Sequence, residues 1–100
     1  MLIQNEKKSD FETTTVRVEL ESASEVNYRM LDEEMENRGF SRLIKGSTGE
    51  SFLLPATEYS YLGSSTPMEI VREAELAAIR TGKRYQILAT KGARAFCLWE

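Results

Sequence analysis

The chain contains no histidine, and that absence bounds its chemistry before any fold is considered. Imidazole is the commonest general acid or base near neutral pH, the usual partner of Ser and Cys nucleophiles, and a frequent transition-metal ligand. Any reaction here must run on carboxylates, lysine, arginine or tyrosine. Cys97 is the single cysteine, so neither an internal disulfide nor a thiolate cluster for zinc can form, and with Phe96 and Leu98 beside it the thiol is expected to be buried. Two groupings remain. Asp32, Glu33, Glu34 and Glu36 form an acidic run that could attract Mg²⁺, but on an amphipathic helix such a run reads as a solvated face. Arg17, Arg38, Arg42, Lys45, Lys83 and Arg84 could meet a nucleic-acid backbone, with Tyr59, Tyr61 and Tyr85 as faces for unpaired bases. The alternative is dispersed surface charge and half-buried sheet tyrosines, and the residues alone leave both open. Gly46-Ser47-Thr48-Gly49 lacks the Gly-Lys-Ser/Thr ending of a phosphate-binding loop and reads as a turn. No metal site and no cofactor are expected.

Composition narrows the partners. With 13 basic residues against 16 acidic, the net charge of -3 excludes a domain-wide basic field, so any RNA contact must come from a local patch. At 41% hydrophobic and 29% charged, 100 residues suit one globular domain with one modest core. No apolar run approaches the ~18 residues of a membrane span, and no charged segment precedes an apolar one at the start. The expectation is a cytoplasmic monomer or homodimer with no membrane contact.

The elements that must position these residues are legible in order. Residues 1–12 are polar and aperiodic and read as a flexible tail, leaving 13–100 as a single domain. Thr14, Val16, Val18 and Leu20 alternate with Thr15, Arg17, Glu19 and Glu21, a strand with one apolar face. Ser22 with Glu25, or else Ser24, starts a helix that turns Tyr28, Leu31 and Met35 inward and ends at Gly39. Phe40–Lys45 and Glu50–Tyr61 form a hairpin, broken in its second strand by Pro55. Thr66-Pro67-Met68-Glu69 opens a second helix with Ile70, Val71, Ala74, Ala77 and Ala78 as its apolar stripe, and Gly82 closes it. Lys83–Thr90 is a further strand. Ala93–Trp99 is a short extra one whose Phe96, Leu98 and Trp99 cover an edge or meet a second subunit. This order gives an α+β chain, a ferredoxin-like βαββαβ two-layer sandwich with both helices on one face of an antiparallel sheet. The core is expected from Val16, Val18, Leu20, Leu31, Met35, Phe40, Phe52, Ile70, Ala74, Ala77 and Ile87. An RNA-recognition motif shares the order, but Glu50–Pro55 lacks its basic-Gly-aromatic string.

Four strings carry a family resemblance: Thr15-Val16-Arg17-Val18-Glu19-Leu20, Met35-Glu36-Asn37-Arg38-Gly39-Phe40-Ser41-Arg42, Leu54-Pro55-Ala56-Thr57-Glu58-Tyr59 and Thr81-Gly82-Lys83. Over residues 15–90 the chain resembles small bacterial and phage-borne proteins grouped with the antitoxin of the type V toxin-antitoxin system, the GhoS-like family. The resemblance implies a ferredoxin-like fold similar to Cas2 proteins, and an endoribonuclease that cleaves the messenger of a membrane-lytic toxin. Cas2-like nucleases carry an acidic residue at the end of the first strand. Glu19 and Glu21 match that place, and Arg29 lies near the arginine of the antitoxin's first helix. On this resemblance Glu19 and Arg29 are the catalytic candidates. Arg17, Arg38, Arg42, Lys45, Tyr59 and Tyr61 are the candidates for binding single-stranded RNA. The competing reading is a non-catalytic interaction module that dimerises through its sheet edge or C-terminal segment.

Overall fold

The computed structural model describes residues 2–4, 13–46 and 49–97. In chain order the elements are β1 (Leu2–Gln4), β2 (Thr13–Leu20), α1 (Glu25–Asn37), β3 (Leu43–Lys45), β4 (Ser51–Leu53), β5 (Glu58–Leu62), α2 (Pro67–Ile79), β6 (Tyr85–Lys91) and β7 (Ala95–Cys97).

The alternation in β2 organises the rest. Thr14, Val16, Val18 and Leu20 are buried on one face, while Thr15, Arg17 and Glu19 point to the other. β2 is central because β5 and β6 both pair with it antiparallel, from Thr13↔Leu62 to Arg17↔Glu58 and from Thr14↔Lys91 to Leu20↔Tyr85. The register sets Val16 beside Tyr59 and Ala89, so the apolar face runs across three strands. Both helices cover that face. Leu31 and Met35 of α1 and Ile70, Ala74, Ala77 and Ala78 of α2 join Val16, Val18, Leu20, Phe40 and Tyr59 in one core. The chain is thus an α+β protein with two helices on an antiparallel sheet.

The expected hairpin is divided. β3 and β4 pair with each other, from Leu43↔Leu53 to Lys45↔Ser51, and meet the three-stranded sheet through the Ser41↔Ser60 bridge. Pro55 has no N–H for a ladder, and its carbonyl instead accepts the Glu58 N–H in a turn that redirects the chain into β5. Phe52, expected in the core, is consequently only half-buried in this separate ribbon. Ile87 is half-buried too, because β6 is an edge strand, though it packs against the core. Ile44 and Leu54 take up burial that the alternation did not assign to them.

The chain ends also depart from expectation. Leu2–Gln4, placed by sequence in a tail, pairs antiparallel with Ala95–Cys97. The extra C-terminal strand therefore finds its partner in the chain's own N-terminal segment. Residues 1 and 5–12 of the expected tail, together with Leu98 and Trp99, lie outside the described residues, and of Phe96 only the backbone is described. Cys97 is exposed rather than buried, since a two-stranded ribbon shelters at most one of its faces.

Both helices start on reciprocal caps. In α1 the cap is Ser24, not Ser22, and Asn27 rather than a glutamate returns the bond, its Oδ1 accepting the Ser24 N–H at 2.9 Å. Ser22 instead takes a positive φ of 52° in the turn before it. In α2 the Thr66 hydroxyl accepts the Glu69 N–H at 3.2 Å and Glu69 Oε1 accepts the Thr66 N–H at 2.8 Å, with Pro67 at the first helical position. That bond from the Thr66 backbone, then the one from its side chain, holds the Glu69 carboxyl below the usual range. Among the described residues no helix is long and apolar enough to cross a membrane.

A depressed carboxyl contributes stability above its unfolded pKa and loses it as pH falls through the folded one. Thr66→Ala should cost about 1 kcal/mol at neutral pH. Glu69→Ala should also destabilise there, with the gap from wild type closing as the medium is acidified below the carboxylate range. Urea titrations at several pH values check both, and a gap that widens in acid would contradict the cap.

Candidate functional site

The alternation of β2 sends Arg17 and Glu19 to the face that neither helix covers. There they pair with each other, Arg17 Nη2 lying 2.8 Å from Glu19 Oε1 in an exposed ion pair. Glu19 also lines a concavity with Leu20, Glu21, Arg84, Tyr85 and Gln86, in which Arg84 Nη1 reaches Glu21 Oε1 at 3.3 Å. Each carboxylate at this end of the sheet thus has a guanidinium partner, Glu19 with Arg17 and Glu21 with Arg84. Further along the same face Arg94, which the sequence did not single out, donates to Thr15 Oγ1 at 3.0 Å and to Ser60 Oγ at 2.9 Å.

Arg29 lies elsewhere. It lines a groove of about 570 Å³ between α1 and the β4–β5 connection, together with Ala23, Ser24, Glu25, Tyr28, Asp32, Arg42, Ala56 and Thr57. The two expected catalytic residues, Glu19 and Arg29, thus line different concavities. The groove instead unites Arg29 with Arg42, which were assigned separate roles. Arg42 is oriented by donating Nη2–H to the Leu54 carbonyl at 2.9 Å, while its buried Nε has no hydrogen-bond partner among the described residues. Asp32 follows Tyr28 by four residues and so shares its helix face, a spacing that could have marked the pair. Tyr28 is fixed at its far end, where its hydroxyl accepts the Leu20 N–H at 3.0 Å.

Tyr59 is not a stacking platform. The residue is 1% exposed in the core, and its hydroxyl donates a hydrogen bond to Asp32 Oδ1. Burial first, and then that bond, raise its pKa well above the ordinary phenol range. Tyr61 is half-buried, its ring 5.3 Å from that of Phe40 and close against Gly63, where an added Cβ would meet Tyr61 Cε2 at 2.9 Å. Both tyrosines face the core because they share the parity of the β5 residues paired with Val16 and Thr14. Arg38 caps α1 and reaches Glu73 of α2 at 3.1 Å, and Lys45 is exposed on β3 opposite Ser51. Of the RNA-binding candidates, Arg38, Arg42 and Lys45 thus have different surroundings: α2, the groove and the β3–β4 ribbon. Among the described residues no group of three His, Cys, Asp or Glu side chains is placed to hold a metal ion.

The groove wall carries backbone strain. Thr57 has φ +69°, in a turn closed by the Glu58 N–H on the Pro55 carbonyl, a place where glycine is usual and a β-branched residue is rare. Its carbonyl accepts the Val18 N–H at 2.9 Å, which ties the strained turn to the central strand. No protein-family model and no curated protein matches the chain.

A phenol whose folded pKa is raised contributes stability that is complete below the unfolded pKa, about 10, and is lost as pH rises beyond it. Tyr59→Phe should cost roughly 1.5–3 kcal/mol at neutral pH, the scale of a hydrogen bond to a charged group. The difference should shrink as pH passes the phenol range. Chemical denaturation from neutral to alkaline pH measures it, and a constant difference would separate Tyr59 from the alkaline response.

Proposed function

We propose that the protein is an RNA-directed regulator resembling the type V antitoxins, built on a ferredoxin-like βαββαβ arrangement, and that it cleaves single-stranded RNA in the groove between α1 and the β4–β5 connection. The observation that carries this reading is the convergence of Arg29 and Arg42 on one groove beside Asp32. Two guanidiniums on separate elements can grip one phosphodiester and stabilise charge that develops on it. Asp32, oriented by Tyr59, supplies the carboxylate that a histidine-free chain needs to accept a 2′-hydroxyl proton. Glu19, committed to Arg17 on another surface, is set aside in this reading. Antiparallel strands β5, β2 and β6 under two helices, with β5 touching the β3–β4 ribbon at Ser60, support the ferredoxin-like arrangement.

Filter binding of short single-stranded RNAs across a salt series tests the grip. Arg29→Gln with Arg42→Gln should weaken binding and flatten the log–log salt slope by about 0.7, the value for the one phosphate the pair shares on a single strand. Asp32→Asn should leave binding in place and reduce cleavage by ~10²-fold or more. A wild-type protein that neither binds nor cuts a varied pool of single-stranded RNAs would overturn the proposal.

A further inference from the structure

Among the described residues β6 is an edge strand whose one charged side chain, Lys91 at its end, is drawn aside to donate to the Ser65 carbonyl at 3.2 Å. Among the described residues its only ladder is with β2. From Tyr85 to Thr90 it holds no proline, glycine or charged side chain, the devices that ordinarily discourage an edge from pairing. Its hydrogen-bonding parity is fixed by two bonds between directly opposed residues, Glu21 N–H to the Arg84 carbonyl and Gly92 N–H to that of Thr13, both at 2.9 Å. Even-numbered residues of β6 therefore spend their backbone groups on β2. Those of Tyr85, Ile87, Ala89 and Lys91 point outward from the sheet.

We infer that a second copy of this chain docks on that edge, β6 against β6 antiparallel, with the two-fold axis at Leu88. This register pairs the outward backbone groups of Ile87 with those of Ala89 in the partner, and Tyr85 with Lys91, so every outward donor of the strand finds an acceptor. Leu88, 65% exposed in the single chain, then meets its own counterpart as a close non-hydrogen-bonded pair on the uncovered face. Gln86 falls opposite Thr90, and Arg84 opposite Gly92, so no like charges face each other. Moving the axis to Ile87 would instead bring Lys83 opposite Lys91.

The helix above the strand supplies the second layer of contact. Glu75 of α2 accepts the Tyr85 hydroxyl proton at 2.9 Å, which marks the side of α2 that overhangs β6. Met68 and Ile79 lie on the same stripe, seven residues before and four after Glu75, and both are exposed. A copy seated on β6 brings its own stripe toward this one. The surface is self-complementary, as a two-fold interface requires.

Sedimentation of the full chain tests the inference. The wild type should be a dimer, and Leu88→Lys, which sets two ammonium groups against each other at the axis, should be a monomer with an unchanged circular dichroism spectrum. In a Cys97→Ser background, Leu88→Cys should form a disulfide-linked dimer on mild oxidation, because close opposed pairs fall within disulfide reach. Thr90→Cys should not, since this register separates the two copies of residue 90 along the strand. Should Leu88→Lys fail to fold, the cysteine pair decides. A monomeric wild type, a dimeric and folded Leu88→Lys, or equal crosslinking at 90 and 88 would overturn it.

Discussion

The period-two alternation of β2 is the constraint on which the rest of the molecule depends. β2 is the one strand of the three-stranded sheet with neighbours on both sides, so its facing is imposed on β5 and β6 through the register. A slip of one residue would send Val16 and Val18 to solvent and Arg17 and Glu19 under the helices. Burying two valines is worth roughly 1.5–3 kcal/mol each, whereas burying an unpaired guanidinium or carboxylate costs more. The register is therefore unambiguous, and with it the division into a helix-covered face and an uncovered one.

That division explains why the candidate catalytic pair came apart. Glu19 inherits the uncovered face by parity, while Arg29 belongs to a helix packed on the other. What α1 can reach is the wall where Pro55 ends β4 and Thr57 turns the chain into β5. There Arg42 enters from the start of the ribbon, and Asp32 meets the Tyr59 hydroxyl rising from the core. The strained Thr57 turn and the Tyr59–Asp32 bond both tie the groove to rigid parts, β2 in one case and the core in the other. A site assembled this way is positioned by the fold rather than by a flexible loop.

Signals that act within a few residues were legible in the sequence. The alternation of β2, the Thr66-Pro67-Met68-Glu69 start and the glycines after each helix all read correctly, because each depends on local backbone geometry. The inward facing of Tyr59 and Tyr61 was not legible, for the opposite reason. Their facing is set by pairing with Val16 and Thr14, more than forty positions away in the chain, after Pro55 had reset the parity of the strand. Leu2–Gln4 carries too few residues to show a period, and only its partner β7 makes it a strand. The Arg29–Arg42 groove was likewise invisible, since it exists only where α1, the ribbon and the β4–β5 turn meet.

Backbone amide chemical shifts on addition of a short single-stranded RNA test the account most directly. Shifts concentrated at Tyr28, Arg29, Asp32, Arg42, Ala56 and Thr57, absent in the Arg29→Gln, Arg42→Gln variant, are the predicted result. Shifts centred instead on Arg17, Glu19 and Gln86 of the uncovered face, or none at all, would contradict it.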